Sequence, residues 1–221
     1  MLGAGALALA GCSGPLSTLD PSGPAAASIA ALWWVMLAGA TVLFLLVLMI
    51  FVLVVMRPGW GAQVEGARWI VLGGLALPAV VLIPLTAYAL FAGERLLPLG
   101  AANPVRIEAE GRQWVWSFRY PDHGGVVTEG VLHLPAGEPV DMIVTAGDVI
   151  HGFWVPRLAG KIDAIPGHVT RLRLQADAPG VLEGICAEFC GLEHSSMRFE
   201  VQVHAAEDYA AALTAAGEGT E

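Results

Sequence analysis

The chain has 221 residues, of which 56% are hydrophobic and only 14% are charged, so its composition is typical of a membrane protein and not of an ordinary soluble domain. The charged residues before position 93 cancel (Asp20, Arg57, Glu65 and Arg68), which puts the whole net charge of −9 in residues 93–221 and predicts two unlike halves. The acidic half disfavours nucleic acid as a partner and suits a basic protein reached by electrostatic steering, although acidity can also serve solubility alone.

The N-terminal residues 1–11 are predicted to be a lipoprotein signal. They are small and apolar and end in Leu9-Ala10-Gly11-Cys12, a pattern in which the cysteine becomes the lipidated first residue. A signal normally opens with a basic stretch, but no Lys or Arg precedes Arg57, so an unprocessed apolar tail stays an alternative. Residues 12–28 are rich in Ser, Pro, Gly and Ala, and they are predicted to be a flexible lead-in.

Residues 29–92 are predicted to form a hairpin of two transmembrane helices. The runs 29–56 and 69–91 contain no charged side chain, and each exceeds the roughly 20 residues that a helix needs to span a bilayer. Pro78 and Pro84 lie inside the second run and predict a kink in that helix.

The loop between the two runs determines the predicted orientation. It carries Arg57 and Arg68, whereas residues 12–28 have no basic side chain, so the positive-inside rule assigns the loop to the cytoplasm. Both termini would then lie on the periplasmic side of a bacterial inner membrane. Tryptophans flank the runs, as expected at a membrane interface: Trp33, Trp34, Trp60 and Trp69.

Residues 93–204 are predicted to form a small all-β sandwich or barrel on the periplasmic side. Apolar and polar residues alternate there in short runs separated by Pro, Gly and Asp, which indicates half-buried strands. The alanine-rich residues 205–221 are predicted to form a C-terminal helix and tail. The candidate strands are 105–110, 113–120, 126–134, 140–145, 149–155, 169–176, 181–186 and 197–204.

A group of soft metal ligands lies within one short segment before the last strand. Cys186, Cys190, His194 and Met197 fall within twelve residues, and His151 lies upstream. Thiolate, imidazole and thioether together favour copper, and two cysteines can bridge two metal ions. A structural zinc site is an alternative, although it has no use for a methionine. A plain disulfide in the periplasm is another.

Four segments together resemble cytochrome c oxidase subunit II, the CuA-containing subunit of the haem-copper oxidase family. They are residues 111–118, 148–156, 161–167 and 186–197, and with the two preceding spans the resemblance covers residues 30–204. It implies two transmembrane helices followed by an all-β, cupredoxin-like Greek-key domain. It also implies a binuclear copper centre, CuA.

The resemblance implies a role for each ligand. Cys186 and Cys190 would bridge the coppers, each histidine would bind one copper, and the methionine would be a weak ligand. The backbone carbonyl of Glu188 would approach a copper, and its side chain would reach a magnesium ion shared with subunit I. From the residues alone, Glu188 could equally be a solvent-facing spacer. The implied copper ligands are His151, Cys186, Glu188, Cys190, His194 and Met197.

Trp114 corresponds to the exposed tryptophan through which the family is thought to receive electrons. The alternative is a core aromatic, because Trp114, Trp116, Phe118 and Tyr120 would share one face of a strand. Gly152 stands where relatives often have serine. The remaining histidines are expected to be ordinary surface or strand residues: His123, His133, His168 and His204.

The implied function is that of an oxidoreductase subunit in the respiratory chain. It would accept electrons from cytochrome c and pass them to haem in subunit I, where oxygen is reduced to water with proton translocation; subunit III is a further expected partner. The chain has no Cys-x-x-Cys-His motif, so no haem is expected in it. Two alternatives are subunit II of a quinol oxidase, which lacks the copper ligands, and a membrane-tethered copper chaperone.

Overall fold

The computed structural model describes residues 12–94 and 104–218, which divide into two compact units. One unit comprises residues 31–94, and the other comprises residues 12–30 together with residues 104–218. The predicted signal over residues 1–11 lies outside the described residues.

Two helical stretches are long and apolar enough to cross a membrane, which confirms the prediction of two such helices. The first is α1, Pro24–Met56, and the second runs over Gly66–Glu94. The second begins with α2, Gly66–Trp69, continues as the π-helical segment Ile70–Ala76, and ends with α3, Leu77–Glu94. The wider π turns end just before Pro78, which has no N–H to donate, and Pro84 lies inside α3.

The second half of the lead-in, residues 20–28, is hydrogen-bonded to the β domain. The N–H of Ser22 donates to the carbonyl of Arg157 at 2.7 Å, and the N–H of Asp177 donates to the carbonyl of Ser22 at 2.9 Å. Arg157 also forms an ion pair with Asp20 at 3.1 Å. The Ser- and Pro-rich composition correctly indicated a lack of periodicity, but it could not reveal these tertiary hydrogen bonds.

The β domain is a sandwich of two mixed five-stranded sheets, which confirms the predicted all-β class. The first sheet has the order β3-β2-β1-β5-β8 and the second β4-β10-β9-β6-β7. The strands are β1 Val105–Arg112, β2 Val115–Tyr120, β3 Val126–Glu129, β4 Val131–Pro135, β5 Val140–Ala146, β6 His151–Trp154, β7 Ile162–Ala164, β8 Thr170–Leu174, β9 Gly180–Cys186 and β10 Arg198–His204.

Two details of the strand prediction were wrong. The single strand expected over residues 126–134 is divided at Gly130, whose φ of +69° lies in the left-handed region that favours glycine. The division lets β3 join the first sheet and β4 the second. Strand β7 was not predicted because its three residues are too few for an alternating pattern.

Aromatic side chains fill the space between the sheets. Trp116, Phe118 and Tyr120 of β2 are fully buried, as the alternation along that strand requires. Phe153 of β6 stacks on Phe199 of β10 with ring centroids 5.2 Å apart. The last helix, α4, covers Tyr209–Glu218 and buries its Tyr209 and Leu213 against this domain.

Candidate metal centre

The predicted ligands lie on three neighbouring parts of the second sheet. His151 is the first residue of β6, Cys186 is the last residue of β9, and Met197 immediately precedes β10. The loop that joins β9 to β10 carries the other two ligand side chains, Cys190 and His194. Its ends are held together because the N–H of Cys186 donates to the carbonyl of Met197 at 2.9 Å.

The donor atoms of all these residues converge on the two thiols. The sulfur atoms of Cys186 and Cys190 are 3.7 Å apart. On one side, the Cys186 sulfur lies 3.8 Å from Nδ1 of His151 and 3.3 Å from the carbonyl oxygen of Glu188. Each thiol therefore has one histidine beside it, because His194 occupies the matching place next to Cys190.

On the Cys190 side, its sulfur lies 3.6 Å from Nδ1 of His194 and 3.7 Å from the sulfur of Met197. The structure thus brings close together donor atoms of all six residues that the family resemblance implies as copper ligands. His151, Cys186 and Cys190 alone place their ligand atoms within 4.8 Å of one another.

The donor set fits soft metal ions held in a dry pocket. His151 is fully buried, and Cys186, Cys190 and Met197 are buried as well. Burial, followed by the neighbouring Cys186, raises the pKa of the Cys190 thiol. A metal would have to displace the thiol protons, since thiolate is the form that binds. The structure has the two cysteines as unbonded thiols with their sulfur atoms 3.7 Å apart.

Asp148 contacts the buried His151, and sequence reasoning did not predict this contact. Its carboxylate lies 2.9 Å from Nε2 of His151, so a proton on Nε2 leaves the Nδ1 lone pair directed at the thiols. Burial of Asp148 opposes its charge, but hydrogen bonds from the Gln113 N–H, His151 and the Val149 N–H lower the pKa of this carboxyl. The carboxylate therefore stays charged beside the histidine.

Trp114 lies beside the ligand loop and outside the hydrophobic core. It occupies the turn between β1 and β2 and is 37% exposed, unlike the buried aromatic side chains of β2. The alternation that predicted a core tryptophan is broken by this turn. The preceding Gln113 ties the turn to the ligand loop, because its side-chain amide donates to the carbonyl of Cys190 at 2.8 Å.

The side chain of Glu188 points away from the thiols. It is partly exposed and lies 3.6 Å from Nζ of Lys161, which also pairs with Asp163 at 2.9 Å. The backbone of the loop is held close to β6, because the N–H of Ala187 donates to the carbonyl of Gly152 at 2.8 Å. A Cβ at Gly152 would lie only 2.8 Å from the Ala187 carbonyl carbon, so this close approach requires glycine.

The other histidines stay outside this centre. His133 of β4 and His204 of β10 lie on strands, as expected, but they form a pair with their ring nitrogens 2.8 Å apart. His133 is buried, so it is not a surface residue. The ring of His123 contacts Tyr209 of α4 with centroids 5.1 Å apart.

The chain is similar to known oxidase subunits over most of its length. A family model described as Cytochrome C oxidase subunit II, periplasmic domain, matches residues 126–204. The cytochrome c oxidase subunit 2 of Alkalihalophilus pseudofirmus is 34% identical over 209 residues, covering 88% of this chain and 61% of that relative. The cytochrome bo(3) ubiquinol oxidase subunit 2 of Pseudomonas putida is 30% identical over 158 residues, covering 69% of this chain and 48% of that relative. The chain spans less than two thirds of either relative.

Solved structures resemble the β domain. The periplasmic domain of subunit II of cytochrome oxidase from Bradyrhizobium japonicum is 29% identical with a TM-score of 0.52, over 55% of this chain and 99% of that chain. A second match is a structure of the mixed disulfide intermediate between the thioredoxin-like TlpAs and subunit II of cytochrome c oxidase. The matched chain in that structure is 28% identical with a TM-score of 0.50, and the match covers 57% of this chain and 99% of that chain. Sequence, fold and the order of the elements agree: the chain belongs to the cytochrome c oxidase subunit II family.

Proposed function

We propose that this chain is the copper-carrying subunit II of a cytochrome c oxidase, which receives electrons from cytochrome c and delivers them to haem in subunit I. The observation that supports the proposal is the convergence of two thiols, two imidazoles, a thioether and a carbonyl in one buried pocket. Two copper ions bound there would store and release one electron at a time. Cys186 and Cys190 would bridge them.

The chain's own residues would keep the centre rigid. His151 is fixed by Asp148, the thiols are fixed by the ends of β9 and the ligand loop, and Met197 is fully buried against them. When the ligands of a metal pocket are held rigidly, little reorganisation energy is needed when the bound metal gains or loses an electron. Burial also excludes water from the sulfur atoms.

Substitution of a single thiol in the purified oxidase complex tests the copper assignment. Cys190→Ser removes one bridge, so we expect loss of the near-infrared band of a mixed-valence copper pair and loss of oxygen uptake driven by reduced cytochrome c. Val181→Ser is the control, because Val181 is 65% exposed at the opposite end of β9 from Cys186, and it should retain both. A Cys190→Ser complex with full band and turnover would refute the bridging role.

The quinol oxidase alternative has a specific observation in its favour, the similarity to a ubiquinol oxidase subunit 2. The presence of every copper ligand favours cytochrome c. The wild-type complex should therefore take up oxygen with reduced cytochrome c and not with a reduced quinol. A copper protein that purifies without haem partners would instead support the chaperone alternative.

Two further residues are assigned roles by the same proposal. Trp114 would be the point at which electrons from the cytochrome arrive, and its exposure beside the ligand loop supports this. Trp114→Leu should slow electron arrival while the copper content stays at the wild-type level. The carboxylate of Glu188 would bind magnesium with subunit I in place of its contact with Lys161, and Glu188→Gln should lower magnesium in the complex without loss of copper.

The two thiols would need a reductant before copper is loaded. Their sulfur atoms are 3.7 Å apart, so a shift of less than 2 Å would close a disulfide of about 2.05 Å and destroy the site. A thioredoxin-like protein forms a mixed disulfide with the subunit II relative, and we propose that a reductase of this class acts here. An oxidised chain should regain copper uptake after treatment with a thioredoxin-like reductant.

Both termini and the β domain would lie on the periplasmic side of the cell membrane, with the Arg57 and Arg68 loop in the cytoplasm. A cysteine introduced in that loop should react with a membrane-impermeant maleimide only after the cells are opened. Labelling in intact cells would contradict this orientation.

A further inference from the structure

One buried glycine lies beside the proposed metal ligands. Gly152 directly follows His151 in β6, and the next residue, Phe153, pairs with Cys186 at the end of β9. The carbonyl of Gly152 accepts a hydrogen bond at 2.8 Å from the N–H of Ala187, the first residue of the ligand loop. Strand β6 and the ligand loop are therefore in direct backbone contact at this glycine.

Lack of space, and not backbone conformation, excludes a larger residue at Gly152. It is not among the described glycines with a positive φ, so an alanine could adopt its backbone conformation. An added Cβ, however, would lie 2.8 Å from the carbonyl carbon of Ala187 and 2.9 Å from the backbone nitrogen of Glu188. Both are backbone atoms, so no side-chain rotation can relieve the contact. The ligand loop would have to move away from β6.

The part of the loop that would move carries one proposed ligand atom. The carbonyl oxygen of Glu188 lies 3.3 Å from the sulfur of Cys186 and belongs to the residue whose nitrogen faces Gly152. Cys186 is held independently, because it pairs with Phe153 in the sheet and its N–H donates to the carbonyl of Met197 at 2.9 Å. The position of the Glu188 carbonyl relative to the thiol therefore depends directly on the close approach at Gly152.

We infer that Gly152 is a positioning residue for the Glu188 carbonyl: the close approach that it allows sets the distance of this oxygen from the two coppers, and with it the reduction potential of the centre. This inference rests on the proposed function. A weak ligand of this kind tunes the potential of a copper–thiolate centre, and an oxygen donor stabilises the oxidised metal. If the oxygen moves away, the copper next to it is more easily reduced. The potential then rises, and the unpaired electron is shared unequally.

The purified oxidase complex with the single substitution Gly152→Ala tests this role. We expect the complex to keep both coppers, to show a raised reduction potential of the copper pair, and to give an electron paramagnetic resonance spectrum with unequal sharing of the unpaired electron. Gly160→Ala is the matched control, because the nearest described atom to its added Cβ would be Cδ1 of Ile29 at 3.9 Å. This control should keep the wild-type potential and spectrum.

Gly23→Ala controls for a general loosening of the domain. Gly23 is buried, and an added Cβ would collide with the backbone carbonyl oxygen of Gln175. Gly23 precedes α1 and Gln175 follows β8, so neither residue belongs to a loop that carries a proposed ligand. This variant should lose thermal stability, whereas its copper potential and spectrum should stay at wild-type values.

Hydrogen exchange in the copper-free full chain tests the contact at Gly152 without the metal. The N–H of Ala187 is protected by its hydrogen bond to the Gly152 carbonyl, and Gly152→Ala should weaken that bond by pushing the loop away. We expect exchange of the Ala187 amide proton to become faster on the order of ten-fold, as for loss of one backbone hydrogen bond. Neither Gly160→Ala nor Gly23→Ala should change this rate.

Four results would overturn the inference. The first is a wild-type potential and spectrum in Gly152→Ala, and the second is the same spectral change in Gly23→Ala. The third is loss of both coppers from Gly152→Ala, which would show that the thiols and imidazoles also depend on this glycine. The fourth is an unchanged exchange rate of the Ala187 amide in Gly152→Ala. A wild-type complex without a copper pair would instead refute the proposed function, while the exchange rate would still test the contact at Gly152.

Discussion

Two groups of histidines in the β domain differ in what surrounds them: His151 and His194 lie beside the thiols, whereas His133 and His204 lie on strands β4 and β10. At one end, Nε2 of His151 contacts the Asp148 carboxylate, and its Nδ1 is directed at two thiols. In the second group, His133 and His204 contact each other at 2.8 Å with their rings stacked at 12°. In this pair one ring donates a proton to the lone pair of the other, so that lone pair is not free for a metal.

The difference indicates what would suit a histidine in this fold to bind a metal. A carboxylate fixes the tautomer, and soft donors from a separate loop share the pocket. The pair at the other site has aromatic neighbours, with the ring of Tyr120 6.2 Å from His133 and that of Tyr209 6.4 Å from His204. Among the described residues, His151, Cys186 and Cys190 form the group of three or more close metal-ligand side chains.

The largest expected effect is loss of the metal when a histidine of the first group is removed. His151→Ala leaves the Cys186 side without its imidazole, so we expect the copper content of the purified complex to fall and the near-infrared band to disappear. His204→Gln removes a histidine of the second group and should leave copper content and band unchanged. The copper content of both complexes is measured by metal analysis. Copper loss in His204→Gln would contradict the proposed difference between the two groups of histidines.

A smaller effect is expected when the orienting carboxylate is neutralised. Asp148→Asn keeps the shape of the side chain but no longer stabilises a proton on Nε2 of His151. Loss of such a partner typically weakens metal binding by about 10–100-fold. Competition with a copper chelator measures this change, with Asp177→Asn as the control because the hydrogen bond of Asp177 to Ser22 uses its backbone N–H. Equal affinities in the two variants would contradict the orienting role.

The smallest effect concerns the second group and pH. Burial lowers the pKa of His133, with a further contribution from His204, whereas Glu200 opposes the shift. Burial likewise lowers the pKa of His204, and Asp208 opposes it. The unfolded chain therefore binds more protons once the pH falls below the ordinary histidine value of 6.5. The stability contributed by the neutral pair is complete above that pH and is lost as the pH falls.

This pH dependence can be measured without interference from the metal ligands. In the copper-free Cys190→Ser chain, the thermal midpoint of the β domain should be lower at pH 5.5 than at pH 7.5. The additional His204→Gln substitution should reduce that difference, because one of the two titrating groups is gone. A thermal midpoint that is higher at pH 5.5 than at pH 7.5 would contradict this prediction, because it would mean that protonation stabilises the folded chain.

The sequence indicated most of the candidate site because five of its six proposed ligand residues lie in one short segment. The spacing of Cys186, Cys190, His194 and Met197 limits how far apart their side chains can be. His151 lies 35 residues before Cys186, and its role followed only from the family resemblance. Asp148 was missed as an orienting residue because an aspartate after glycine is also typical of a turn.

The strand pattern was least informative at short elements and turns. It predicted a core position for Trp114, because two-residue alternation cannot register the turn that precedes β2. The pattern also predicted one unbroken strand across Gly130, where a positive φ lets the chain leave the first sheet and join the second. Both features depend on backbone conformation at one or two residues, which the hydrophobic pattern does not record.

The two-copper assignment is tested most directly by the copper content and the electron paramagnetic resonance spectrum of the purified oxidase complex. We expect two copper ions per subunit II chain and, in the oxidised complex, one unpaired electron shared equally between them. Zinc alone, or a single copper with the spectrum of an isolated ion, would contradict the two-copper pocket between Cys186 and Cys190.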